Sequence, residues 1–292
     1  MENKKNEELI HLDSFAIKTT LEILLLDRTT NKNIIFATNN YQNYTELDEI
    51  TVNALKANNA FKLQPRVLKT IEVQKNRKKG KAEVFTPSWL CNKMNNFCDE
   101  QWFERKNVFN VEDEENKTWK ANKEKIKFSK KAGKTWKDYI LSTRIEITCG
   151  EAPYLVSRYD TTTGEIIDIE ERIGMLDRKL RVINENEKTE EEWFEWVVWA
   201  YKTTYGYEFQ GDNLLIARIN LMNTFVDYMK HKWNKEPSME QLNIIATIIS
   251  WNVFQMDGLK NKNPFSDIDT ILMDWKHEDG PCAICFKNLG GE

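Results

Sequence analysis

The chain has 292 residues, of which 40% are hydrophobic and 30% are charged, and its formal net charge is −4. This length allows one large domain or two smaller ones, and the apolar content is sufficient for a core. The negative net charge excludes a polycation, so any nucleic-acid surface must come from local clusters of basic residues. No apolar run approaches about 18 residues and the polar start has no secretory pattern, so we expect no membrane span and a cytoplasmic location.

The cysteines and histidines restrict the chemistry further. Five scattered cysteines in a chain without a secretory pattern indicate reduced thiols. Cys282 and Cys285 have the spacing of zinc ligands, but no second pair accompanies them, and an apolar terminal strand is the simpler interpretation. The three histidines belong to no motif, which argues against a histidine base or a Ser-His-Asp triad.

Residues 1–75 are predicted to be a helix-rich N-terminal region of unknown role, and residues 76–292 a second unit. In the first region, Ile17, Leu21 and Leu24 recur at helical spacing. Because no chemical motif occurs there, we expect packing or partner binding.

Two stretches are strongly basic. Residues 61–81 contain eight lysines and arginines against one acid, and residues 117–137 contain nine lysines against one acid. Trp119, Phe128 and Trp136 lie within the second stretch. Basic residues interleaved with aromatic ones suit phosphates and unstacked bases, so both stretches are candidate DNA contacts, although a solvated surface would show the same pattern.

Thr86 and Pro87 predict the start of a helix, with threonine as the N-cap and proline at the first helical position. Leu90, Met94 and Phe97 fall on one face of that helix.

The segment around Cys149 and Gly150 is the most informative. An apolar strand-like run reaches Glu146, passes this turn of small residues and becomes apolar again. A strand that ends in a glycine turn brings bare backbone close to a ligand, and α/β folds bind nucleotide-like cofactors at such turns. Asp212 stands at a second turn, directly before a long amphipathic helix. The two turns together indicate an adenosine-containing cofactor.

The second half alternates predicted helices and strands, which favours an α/β fold with a largely parallel sheet. Thr189 with Glu192, and Ser238 with Gln241, form capping pairs at the starts of two helices. The second of these helices is predicted to run through Val253 and to stop at 257–258. Strands are predicted at 271–273 and 283–286.

From about residue 79 to residue 276, the chain resembles the small bacterial and phage proteins usually labelled restriction endonuclease subunit M. These are similar to adenine-specific DNA methyltransferases. The resemblance rests on five long segments: 85–87, 146–160, 172–180, 205–212 and 251–259. It implies a Rossmann-like methyltransferase sheet with flanking helices, S-adenosylmethionine as cofactor, DNA as substrate, and a possible restriction or defence protein as partner.

The resemblance also implies roles for individual residues. Thr86 and Pro87 look like the segment that packs over the methionine end of the cofactor. Glu146, Cys149 and Gly150 match the acidic-Pro-small-Cys-Gly-x-Gly loop, in which Ala152 replaces the second glycine. Asp177 is the candidate for the ribose hydroxyls, and Asp212 would lie near the adenine amino group, although Asp212 taken alone is better explained as a helix N-cap.

The catalytic element departs from the family pattern. Adenine methyltransferases carry an Asp/Asn-Pro-Pro-aromatic tetrapeptide that binds the flipped base, and this chain has none. Asn263, Pro264 and Phe265 are the nearest match and are our catalytic candidates, with an ordinary turn as the alternative. A degenerate methyltransferase fold that only binds DNA or protein therefore stays open. A third possibility is a metal-dependent nuclease that uses Asp274 and Lys276, with Asp257 or Asp269 completing a magnesium site.

Overall fold

The computed structural model describes residues 8–56, 61–70, 72–74, 77, 85–128 and 133–289, which form a mixed α and β structure. The N-terminal part contains helix α1 (Phe15–Leu25), the short hairpin β1 (Leu26–Asp27) and β2 (Lys32–Asn33), helix α2 (Val52–Lys56) and a 3-10 turn (Arg66–Leu68). Helix α1 begins where the Ser14 side chain accepts a hydrogen bond from the Ile17 N–H, so the predicted helix around Ile17 and Leu24 is confirmed.

The middle of the chain adds a long helix, an antiparallel hairpin and a short helix. These are α3 (Ser88–Phe103), β3 (Asn110–Asp113), β4 (Thr118–Ala121) and α4 (Trp136–Leu141).

A three-stranded parallel sheet with the order β5–β6–β7 lies at the centre of the remaining chain. Its strands are β5 (Arg144–Glu146), β6 (Thr204–Glu208) and β7 (Val253–Gln255). Helices α5 (Met175–Asn186) and α6 (Glu190–Lys202) connect the first pair of strands, and α7 (Gly211–Trp233) and α8 (Met239–Asn252) connect the second. Within the described ranges, a complete doubly wound methyltransferase sheet is not shown.

An antiparallel hairpin of β8 (Ile271–Asp274) and β9 (Cys282–Cys285) follows the sheet. Both strands were predicted. The pairing between them is antiparallel because one short connection joins them, whereas parallel strands need a long crossover.

Helix starts follow the predicted capping pairs. The side chains of Thr189 and Ser238 accept hydrogen bonds from the backbone N–H groups of Glu192 and Gln241, and the second pair forms a complete capping box. Helix ends are less well predicted: α8 stops at Asn252, and Val253, expected in the helix, begins β7.

The start of α3 differs from the prediction. Pro87 is the cap residue rather than the first helical residue, and the Asp160 carboxylate accepts the Ser88 N–H at 2.7 Å. Met94 and Phe97 are 49% and 58% exposed. The buried face of α3 carries asparagines and Asp99 instead, because Arg178 of α5 reaches the Asp99 carboxylate at 2.6 Å and needs polar partners.

The N-terminal part and the later elements share one hydrophobic core. Helix α1 packs against α7 and α8, and Leu24 lies in the same buried cluster as Leu180 and Ile249. Buried polar side chains connect the two parts further: Arg218 of α7 donates to the carbonyls of Leu24 and Leu26 at 2.6 and 2.9 Å. The boundary drawn near residue 75 therefore does not coincide with a break in the core.

None of the helices in the described part of the chain combines the length and apolar character that a membrane span requires.

Candidate functional site

The turn after β5 is strained. Thr148, Gly150 and Ala152 have φ values of 48°, 55° and 65°, so the left-handed conformation recurs at every second residue. This conformation is unfavourable for a residue with a side chain, at a cost of about 1–2 kcal/mol. Ala152, which stands where the family pattern has glycine, thus adopts the conformation that glycine favours. Strain of this kind is typical of ligand sites.

Two carboxylates hold the turn in place. Glu146, the last residue of β5, accepts the backbone N–H groups of Tyr154 and Leu155 at 3.4 and 3.1 Å. Burial raises the pKa of the Glu146 carboxyl well above its usual range; these two hydrogen bonds oppose the rise, and the negative charge of Glu208 adds to it. Cys149 is buried, and its N–H donates to the Tyr207 carbonyl at 2.8 Å.

Glu208 is the second carboxylate and was not among our sequence-based candidates. It ends β6, the strand next to β5, and its carboxylate accepts the Gly150 N–H at 2.8 Å and the Gln210 N–H at 3.0 Å. An acid at the end of the neighbouring strand is what a doubly wound fold uses for the ribose of a dinucleotide. The sequence alone offers little signal for Glu208, because it lies beside Gly150 only through the pairing of β6 with β5. The sequence-based interpretation assigns the ribose hydroxyls to Asp177 and the adenine amino group to Asp212, which leaves Glu208 without a role.

The segment before α3 lies over this turn. A side chain added at Gly150 would meet the Phe85 ring at 3.4 Å, and the Arg66 guanidinium lies 5.1 Å from the centre of that ring. The Arg66 N–H also donates to the Glu151 carboxylate at 2.5 Å. Thr86 and Pro87 follow Phe85 directly in the chain, and the Thr86 carbonyl accepts the Thr161 hydroxyl at 3.2 Å.

Asp177 lies elsewhere. It is completely buried in the first turn of α5, and its carboxylate accepts the N–H and the hydroxyl of Ser157 at 2.7 and 3.2 Å. Burial raises the pKa of Asp177 to about 6, against the opposing effects of the Arg172 charge and the Ser157 hydrogen bonds. Asp177 is therefore bound into the interior rather than placed at a strand end.

This pKa gives a pH-dependent prediction for the variant Asp177→Asn. Between the usual pKa of 3.8 and the folded value of about 6, the folded protein holds a proton that the unfolded chain releases. Loss of this proton therefore lowers the free energy of unfolding of the wild type as the pH rises through that window. The variant has no carboxyl at this position, so it does not show this decrease. Relative to wild type, we expect the free energy of unfolding of the variant to rise from pH 4 to pH 7 by up to about 3 kcal/mol. Urea unfolding at four pH values measures the difference, and parallel profiles would contradict it.

Asp212 is the centre of a buried ionic cluster. Its carboxylate accepts hydrogen bonds from Tyr41 at 2.6 Å and Lys69 at 3.0 Å, and Arg77 lies 2.9 Å away. Burial alone would raise the pKa of Asp212, but the charges of Lys69 and Arg77 outweigh it and hold the pKa well below its usual range. Asp212 is the second residue of α7 and is completely buried, so the structure gives this carboxylate protein partners where we expected an adenine amino group.

The catalytic candidates lie in the loop after β7. The Asn263 amide is buried and donates to the Asp27 carboxylate at 2.8 Å, and Pro264 is buried beside it. Phe265 differs: its ring is 49% exposed, its φ is +56°, and it contacts the ring of Phe209 edge-on at 5.5 Å. Phe209 directly follows Glu208. Of the three residues, only Phe265 presents an accessible group near the carboxyl edge of the sheet.

We expect the variant Asn263→Ala to lose about 1–3 kcal/mol of stability, because the buried Asp27 carboxylate loses a hydrogen bond. Phe265→Ala is the matched control from the same loop, and its half-exposed ring should contribute less. Chemical unfolding separates the two variants. Equal midpoints for wild type and Asn263→Ala, together with slower methyl transfer, would contradict the structural role and support a catalytic one.

Each of the three carboxylates proposed for a nuclease has its own partner in the protein. Asp274 accepts the Lys276 N–H at 2.9 Å, Asp257 accepts the Leu259 N–H at 3.0 Å, and Asp269 pairs with Lys287 at 2.5 Å. Among the described residues, no group of three or more His, Cys, Asp or Glu side chains is arranged to hold a metal ion.

The two basic stretches have different surroundings. In 61–81, Lys69 and Arg77 point inward to Asp212 and Arg66 lies on Phe85, whereas Lys75, Lys78, Lys79 and Lys81 lie outside the described residues. In 117–137, each of the three aromatic side chains contacts another part of the protein. Trp119 donates to the Glu171 carbonyl at 2.8 Å, Trp136 packs edge-on against Trp196, and Phe128 packs against Phe103.

Comparison with protein-family models, with curated proteins and with solved structures gives no match. The comparisons therefore assign the chain to no family, and its function has to be argued from the site.

Proposed function

We propose that this chain is an S-adenosylmethionine-dependent DNA methyltransferase-like protein specific for adenine N6. The observation that carries the proposal is the contact between Gly150 and Glu208. It joins a strained turn after one parallel strand to a carboxylate at the end of the next strand. Open α/β sheets bind their ligands at this edge, outside the carboxyl ends of the strands.

The residues at this edge fit a nucleoside cofactor. We assign the ribose hydroxyls to the Glu208 carboxylate from its position at the carboxyl end of β6. In the bound state they would share this carboxylate with the N–H groups of Gly150 and Gln210, which it accepts here. Gln210 is buried beside it, and its side-chain carbonyl oxygen has no hydrogen-bond partner among the described residues, which leaves an acceptor for an amino group. Thr86 and Pro87 adjoin the turn through Phe85 and would lie at the methionine end, as in similar enzymes.

When bound, S-adenosylmethionine supplies an electrophilic methyl group on a sulfonium centre. The part left to the chain is alignment and exclusion of water rather than a strong nucleophile. Phe265 suits a second task, because an exposed aromatic ring can stack on a flipped base. Its left-handed backbone supports a functional role, since bulky residues rarely adopt that conformation.

A specific observation favours the alternative, a degenerate fold that binds DNA or a protein without methyl transfer. The amide of Asn263, the polar group of the candidate triplet 263–265, donates to the Asp27 carboxylate instead of being available to a base. In this alternative the protein would act in phage defence or counter-defence through binding alone.

Three measurements on the 292-residue chain test these proposals. Isothermal titration with S-adenosylmethionine should give one site per chain, and absence of binding would reject the cofactor assignment. Transfer of radiolabelled methyl groups to unmethylated duplex DNA then separates the enzyme from the degenerate alternative. Binding without transfer would support the binding module. Magnesium-dependent cutting of a plasmid without cofactor would instead favour the nuclease.

A further inference from the structure

Five positively charged side chains line one cleft of about 520 Å³ beside the β3–β4 hairpin. Four of them come from the end of β4 and the segment after it: Lys120, Lys123, Lys125 and Lys127. The fifth is Arg105, which lies just after the end of α3, and Glu124 is the one acid that lines the same cleft. In a protein whose net charge is −4, this cluster is a strong local concentration of positive charge. We call it the hairpin cleft.

The backbone of the hairpin cleft is held rigidly. Arg181 of α5 donates to the carbonyls of Asn122 and Glu124, and the Glu185 carboxylate accepts the Ile126 N–H at 2.8 Å. Asn122 also donates to the Asn107 carbonyl at 2.7 Å. The lysines therefore project from a fixed support, which lowers the entropic cost of binding through them.

Most of this charge is not neutralised by the protein. Lys127 pairs with Glu124 at 3.2 Å on the exposed surface, a contact that water screens strongly. Lys120, Lys123 and Lys125 are exposed and form no ion pair with any described residue. Ile126 is buried between Lys125 and Lys127, which anchors the segment while its lysines stay outside.

The composition of the hairpin cleft points to phosphates rather than to a protein surface. Lysine is depleted from the centres of protein–protein interfaces, whereas it is a standard contact of the nucleic-acid backbone. The aromatic side chains of the surrounding stretch distinguish further between nucleic acids. Phe128 and Trp136 pack against Phe103 and Trp196, and the Trp119 indole N–H donates to the Glu171 carbonyl. Each ring is therefore held separately by the protein, and together they do not present one platform for unstacked bases.

We propose that the hairpin cleft binds the phosphate backbone of duplex DNA, independently of base sequence. The choice of DNA over RNA rests on the proposed function. Arg105, which lies outside the basic stretch, belongs to this surface because its guanidinium donates to the Lys127 carbonyl at 2.8 Å.

The test is the salt dependence of DNA binding by the 292-residue chain without cofactor, measured by fluorescence anisotropy on two duplexes of unrelated sequence. The variant K123Q/K125Q/K127Q should reduce the slope of log K against log salt by about 3, or about 1 for each lost phosphate contact. The loss should be equal on both duplexes. K123R/K125R/K127R should keep the wild-type slope.

The matched control is K18Q/K32Q/K56Q, which removes the same charge from three exposed lysines elsewhere. Its slope should equal that of wild type. The proposal is overturned if the hairpin variant keeps the wild-type slope or if the control loses as much. It is equally overturned if single strands, duplex RNA or polyglutamate, rather than duplex DNA, account for the lysine-dependent binding.

Because the assay contains no S-adenosylmethionine, its outcome is separate from that of the proposed function. A normal lysine-dependent slope with no cofactor binding would reject the methyltransferase and keep the DNA surface. Cofactor binding and methyl transfer, together with an unchanged slope in the K123Q/K125Q/K127Q variant, would support the methyltransferase and reject the hairpin cleft as the DNA surface.

Discussion

Replacing Asp212 by alanine is expected to destabilise the protein by about 3–5 kcal/mol, because Lys69 and Arg77 would remain buried without their shared counter-ion. Asp212 has 0% side-chain exposure and Lys69 and Arg77 have 6% and 1%, so water cannot replace the lost carboxylate. Denaturant unfolding at pH 7 measures the loss. The contribution should also decrease in acid, since a carboxyl whose folded pKa lies below its unfolded value stabilises only while it is ionised.

The control for this experiment is an exposed ion pair. Glu114 and Lys93 are 2.5 Å apart, but their side chains are 72% and 50% exposed, so Glu114→Ala should leave the unfolding midpoint unchanged. Asp212→Asn, which keeps the shape and removes the charge, should lose nearly as much as Asp212→Ala. If both Asp212 variants were as stable as wild type but bound S-adenosylmethionine poorly, Asp212 would contact the cofactor and the structural role would be wrong.

Asp212 shows why a single sequence identifies a site less reliably than it identifies secondary structure. An acid at the start of a helix is compatible with a cap, a ligand contact or an ion pair, and the sequence around 212 does not distinguish them. The deciding partners, Tyr41, Lys69 and Arg77, come from 135 or more positions earlier in the chain. Interactions at such separations leave no local pattern.

Local rules were reliable where the cause is local. The capping pairs at Thr189 and Ser238 were predicted correctly because the hydroxyl and the N–H that it accepts lie three residues apart. The face of α3 was harder to interpret. Its apolar residues Met94 and Phe97 point outward, because the polar face of the helix packs inward against the buried Arg178 of α5.

The candidate site was found in part. The turn at Cys149 and Gly150 was evident because a glycine after a strand is a local signal, and the structure places it at the end of β5. Glu208 became apparent only when the strand register was known. That register sets Gly206 opposite Glu146 and brings Glu208 to the same edge. Pairing between strands about 60 positions apart does not follow from periodicity alone.

The sharpest test of the cofactor site is the variant Gly150→Trp, which is expected to lower the affinity for S-adenosylmethionine by at least about 100-fold. An indole at this position would extend beside the Phe85 ring, which lies 3.4 Å from where the first side-chain carbon would stand, and would fill space at the turn to which we assign the cofactor. Gly133→Trp is the matched control. Gly133 has φ +64° against +55° for Gly150, but among the described residues no atom lies within 4 Å of a side-chain carbon added at Gly133. Both variants should lose about 1–2 kcal/mol from the left-handed backbone, and Gly150→Trp should lose somewhat more because of the Phe85 contact, while only Gly150→Trp loses the cofactor. Titration calorimetry on both proteins decides the matter, because unchanged affinity in Gly150→Trp would remove the cofactor from this turn.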